Sequence, residues 1–125
     1  KQNNRFRTNL GFIKEEDAHY YLNAADFLFI PRTNELNSGN ITLGCTFGLV
    51  VVGADIADIG EILKETGNPT FTVGNSKSMA NAIKKAFELT LLNHGQTNKN
   101  NALNNWDVKT ISKQYHDQIQ ILLES

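Results

Sequence analysis

Apolar residues in this chain fall into two patterns, short unbroken runs and longer stretches in which they recur every three or four positions. Residues 6–13 mix Phe6, Leu10, Phe12 and Ile13 with Gly11, a weak strand-then-loop signal. Residues 14–25 predict a helix. Glu15, Glu16 and Asp17 occupy its first turn, where carboxylates complement the helix dipole, and Ala18, Tyr21, Leu22 and Ala25 follow at helical spacing. The run Phe27-Leu28-Phe29-Ile30, stopped by Pro31, reads as a strand buried on both faces, the kind that belongs to a parallel sheet covered by helices. The same grammar then repeats. A polar stretch over 32–40 leads to a short helix over 41–47 closed by Gly48, and Leu49-Val50-Val51-Val52 is a second buried strand ending at Gly53.

A further short helix from Asp58 or Ile59 to Glu65, a Gly67-Asn68-Pro69 turn and a brief third strand over 70–73 come next. Residues 76–91 predict an amphipathic helix capped by Asn75 or Ser76, with Met79, Ile83, Phe87 and Leu91 as the stripe expected to face the core. The Asn-rich stretch over 93–105 lacks such periodicity and predicts a mobile loop. After Trp106, a terminal helix carries Val108, Ile111, Tyr115, Ile119 and Leu122 on one face, expected to pack, and Lys109, Lys113, Gln114 and Gln118 on the other. Strand and helix alternate throughout, so the predicted class is α/β with a parallel sheet.

Composition narrows the function classes. The chain has 125 residues, 40% hydrophobic, enough to bury one contiguous core. No run approaches the ~18–20 apolar residues that cross a bilayer. Twelve Lys and Arg against 13 Asp and Glu argue against a nucleic-acid binder, whose cations would be in excess and clustered. A single cysteine, Cys45, excludes an internal disulfide framework and a multi-cysteine zinc site, points to a reducing cytoplasmic setting, and reads as a small core residue. The chain opens on Lys-Gln-Asn-Asn with no Met and no signal core, which reads as a cut point in a longer protein.

In an open parallel sheet, ligands bind outside the carboxyl ends of the strands. Two loops qualify, residues 31–40 and residues 53–58. The first is richer, because Asn37-Ser38-Gly39-Asn40 leads straight into a helix whose unpaired N–H groups and positive dipole end suit a phosphate or diphosphate. The plainer reading is that Ser38 or Asn40 caps the helix and Gly39 makes the turn.

Several elements stand in a familiar order. Ala24-Ala25-Asp26 and the apolar strand to Pro31 lead to Glu35, then Gly48-Leu49-Val50-Val51-Val52, Gly60-Glu61-Ile62, the 78–89 helix and Asn105-Trp106-Asp107. In order and spacing they resemble the carboxyl-terminal half of a GT-B, family-4-type retaining glycosyltransferase. The resemblance covers nearly the whole chain. It implies a Rossmann-like nucleotide-sugar-binding domain, in part, over residues 1–92, with the Asn-rich loop and the terminal helix after it.

What the resemblance implies can be carried over residue by residue. Glu35 matches the first Glu of the family's E-x7-E motif and would contact the donor sugar near the charge developing at its anomeric carbon. Asn37 belongs to the same donor-binding loop, and Ser38, Gly39, Asn40 and Ile41 match the helix start whose backbone amides hold the donor's phosphates. The second Glu falls at Leu43, which cannot accept a hydrogen bond from a ribose hydroxyl; Gly44-Cys45-Thr46 replaces the family's Ala-Met-Ala, and Arg32 its Ser. The implied activity is hexosyl transfer in polysaccharide biosynthesis, from a nucleotide-sugar donor to a glycan or lipid-linked acceptor, with no cofactor and no metal at the phosphates. The resemblance places the leaving-group Arg and Lys on a Gly-rich loop at the start of the same carboxyl-terminal domain, upstream of Lys1, and the acceptor in an amino-terminal domain of the same polypeptide. The expected setting is cytoplasmic, with peripheral contact at the inner face of the membrane as an option for the terminal helix.

Other candidates are thinner. His19, His94 and His116 each lack a second ligand at metal spacing, and Asp55, Asp58 and Glu61 do not converge on one ion. Asn40-Ile41-Thr42 is a glycosylation sequon with no signal peptide to deliver it. A competing function class is a non-catalytic α/β module that binds a ligand or partner, with the 31–40 loop only capping its helix. A piece lacking neighbouring strands would also expose a sheet edge and associate through it.

Overall fold

The computed structural model describes residues 5–34 and 39–124. Within them, strand and helix alternate as β1 (Phe27–Ile30), α2 (Gly39–Thr46), β2 (Val50–Ala54), α3 (Ala57–Glu65), β3 (Thr70–Phe71) and α4 (Ser76–Leu91), preceded by α1 (Glu15–Ala24) and followed by α5 (His94–Asn105) and α6 (Val108–Glu124). The three strands form one parallel sheet in the order β1-β2-β3, with Phe27 opposite Val50 and Gly53 opposite Thr70. The class is therefore α/β, with a small parallel sheet.

Alternation along β2 builds two cores. Val51 faces Ile41, Cys45, Ile59 and Leu63 on one side, while Val50, Val52 and Ala54 face Phe71, Ala82 and Ala86 on the other. Every residue of β2 is buried. β1 departs from the expectation of two covered faces: Phe27, Leu28 and Phe29 are half-buried, because among the described residues β1 is an edge strand.

The stripe of α4 also differs from the expected one. Phe87 is 51% exposed and Leu91 88% exposed, and the buried positions are Ala82 and Ala86, with Met79 and Leu89 packed beside them. The sheet face beneath already holds Phe29 stacked on Phe71, centroids 5.6 Å apart, and α4 approaches it through its alanines and leaves Phe87 and Leu91 facing outward.

The Asn-rich segment is not a loop. It forms α5, which packs against α2 through buried Gly95, Asn98 and Ala102. Asn98 Nδ2 donates to the Leu49 carbonyl (2.8 Å) and to Asn68 Oδ1 (2.9 Å), and Asn68 Oδ1 also accepts from Val51 N (2.9 Å). Two buried amides thus clip α5 to the sheet and leave each other satisfied. The approach is close: a Cβ on Gly95 would collide with the Gly48 carbonyl oxygen. α6 has no buried residue, so the packing expected of its stripe is absent among the described residues.

Candidate functional site

Glu35, Asn37 and Ser38 lie outside the described residues, so the built part of the candidate loop is its two ends. Its first end is the carboxyl end of β1, where Ile30 is buried; its second is the start of α2. Gly39 and Asn40 are exposed there, and a Cβ on Gly39 would meet nothing within 4 Å, so the backbone at the head of α2 faces open space. Ile41 is different. Its side chain is fully buried in the core with Ile30 and Cys45, so a ligand reaches no more of it than its backbone amide.

The next turn of α2 follows from the same packing. Gly44 lies on the sheet: a Cβ there would come within 2.9 Å of both Leu28 and Val51, so the Ala of the glycosyltransferase pattern could not be seated without movement. Leu43, one position earlier, points away from that contact and is 41% exposed. Cys45 is fully buried, and burial pushes its thiol up to about 11, so it is a core side chain and not a nucleophile.

The second candidate loop follows β2. Asp55 Oδ1 accepts from Lys64 Nζ at 2.6 Å, a surface pair across α3. Ala57 holds a left-handed backbone (φ 41°), unusual for a residue with a Cβ. Gly60 lets the loop fold back on α3, since a Cβ there would lie 3.1 Å from the Asp55 backbone. Among the described residues no group of three or more His, Cys, Asp or Glu could hold a metal ion, and the three carboxylates of this region do not converge. His94, the first residue of α5, is a packing residue: its Nε2 donates to the Thr66 carbonyl at 2.9 Å.

Sequence reasoning passed over one feature. A groove of about 480 Å³ runs between β3 and α4, lined by Thr70, Asn75, Lys77, Ser78, Asn81 and Lys85. It borders β3 rather than the 31–40 loop beside β1, and Lys85 is already paired with Glu88 at 3.2 Å. Most of its polar residues lie on the amphipathic helix α4, where their helical spacing reads as a solvated face. No helix among the described residues is long and apolar enough to cross a membrane. No family model, curated protein or solved structure matches the chain.

Proposed function

We propose that this chain carries part of the donor site of a GT-B, family-4-type glycosyltransferase, moving a sugar from a nucleotide donor to a glycan or lipid-linked acceptor. The observation that carries the reading is the β1–loop–α2–β2 unit in a parallel sheet: the Glu35-bearing loop joins a strand's carboxyl end to an open helix start, where ligands of such sheets bind. In this reading Glu35 contacts the donor sugar. Asn37 belongs to the same donor-binding loop, and the backbone of Ser38, Gly39, Asn40 and Ile41 receives the phosphates. Transfer proceeds with retention, and the leaving-group cations and acceptor base come from elsewhere in the polypeptide.

Titration of the chain within its parent polypeptide with nucleotide sugars tests the reading. Binding is expected, together with a loss of turnover of roughly a hundredfold in Glu35→Ala, the scale of a lost transition-state contact. No binding, or turnover within about threefold of the unsubstituted enzyme, overturns it. A second reading, a ligand- or partner-binding module without catalysis, is favoured by half-exposed Leu43 where the family pattern has its ribose-binding Glu. The two separate on one result: nucleotide-sugar binding with no transfer under any acceptor supports the module.

A further inference from the structure

The groove between β3 and α4 has a chemical character that the rest of this near-neutral molecule lacks. In a chain of net charge −1, its lining holds two lysines and no Asp or Glu. Lys77, Asn81 and Lys85 recur every four residues and stand in one row along α4. Eight residues of helix separate the two cations, about 12 Å along the axis. Beside this row the buried Ala82 closes the floor, and Thr70 of β3 forms the opposite wall.

The polar groups here are held in place yet left with capacity to spare. Ser78 N donates to Asn75 Oδ1 at 2.9 Å, and Ser78 Oγ accepts from Thr72 N at 3.0 Å, which fixes the hydroxyl at the groove and keeps its own proton free to donate. Among the described residues Lys77 makes no ion pair and the Asn81 amide no hydrogen bond within the protein. Lys85 does meet Glu88 at 3.2 Å, but both side chains are more than half exposed, and a surface pair of that kind opens readily.

We propose that this groove binds a small aliphatic molecule with an anionic group at each end and oxygen acceptors between them. Lys77 and Lys85 take the two ends, while Asn81 Nδ2 and the Ser78 hydroxyl donate to the middle. The volume, about 480 Å³, is that of a small-molecule site. No aromatic side chain lines it, so a nucleobase finds no ring to stack on, and the ligand is a bisphosphate or a dicarboxylate. The inference is independent of the sugar-transfer reading and concerns a different part of the sheet.

Titration of the isotope-labelled protein with a hexose 1,6-bisphosphate, a linear dicarboxylate of like length and inorganic phosphate tests the proposal. At least one dianion is expected to saturate, moving the amide resonances of Thr70, Lys77 and Asn81 on one binding curve that weakens with added salt and leaves residues 39–41 unmoved. The tighter dianion identifies the anionic group. Lys77→Gln and Lys85→Gln each weaken binding about fivefold, and both side chains are exposed, so the fold stays intact. Glu88→Gln tightens it by roughly twofold, because Lys85 is released. Lys113→Gln, which removes the same charge from α6, leaves it unchanged. No saturation by either dianion, shifts centred elsewhere, or equal losses in Lys77→Gln and Lys113→Gln overturns the proposal. Inorganic phosphate binding as tightly as the bisphosphate overturns it too, since a single anionic group would then suffice.

Discussion

The residues whose surroundings are unusual each foretell a measurement. Ala57 holds a left-handed backbone that glycine adopts without steric cost, so Ala57→Gly is expected to raise stability by about 1 kcal/mol in denaturant unfolding, against the usual cost of adding a glycine. Cys45 is buried and its thiol is pushed up to about 11, so it should resist a thiol reagent at pH 8 until the chain unfolds; labelling in the native state as fast as in denaturant would contradict that placement. Cys45 was readable as core from its apolar neighbours. The reason Gly44 precedes it was not, because the contact that demands a glycine comes from Leu28 and Val51, distant in sequence from one another.

At the scale of elements, local pattern located β1, β2, α1 and α4 closely: the strands are continuous apolar runs, α4 has a marked helical period, and α1 is announced by its acidic first turn, although Leu22 is its one buried residue. It failed where the signal is tertiary. α5 has little apolar periodicity and is a helix through its contact with α2 and the Asn68–Asn98 pair, neither of which a local window contains. Asn98→Ala strips the Leu49 carbonyl and Asn68 of a buried partner and should cost about 2–3 kcal/mol, read from the denaturant midpoint. The α4 stripe was misassigned because hydrophobicity alone prefers Phe87 and Leu91 to the alanines that the crowded sheet admits. At the start of α6, Asp107 accepts from Lys109 N and from Thr110 N and Oγ1, and these bonds hold its carboxyl below the ordinary 3.8. A depressed carboxyl stabilises the folded form above its unfolded value and loses that effect as pH falls through its folded value. Helicity of α6 should therefore decline as the solution is acidified below about pH 4, and Asp107→Asn should flatten that decline.

For the whole molecule, order and topology were legible and extent of packing was not. The alternation of runs and helical stretches implied a parallel sheet, whereas the candidate site was legible as a loop whose decisive member, Glu35, rests on resemblance. α6 shows why a stripe is no evidence of burial: Val108, Ile111, Tyr115 and Ile119 recur at helical spacing, yet all remain exposed. Removing residues 108–124 is expected to leave the thermal midpoint within a few degrees of the intact chain, since no buried residue is lost; a large fall would mean that α6 packs in solution.

β2 supplies side chains to both cores, and among the described residues no other strand does so with every residue buried. Amide exchange should therefore follow a gradient set by distance from this strand: the 5–13 segment and α6 exchange by local fraying, while the amides of Val50–Ala54 wait for both halves of the molecule to open together. A substitution on either side of the sheet, Leu63→Ala or Ala86→Gly, would then speed exchange in the same five amides, so that two cores without a shared side chain report as a single cooperative unit.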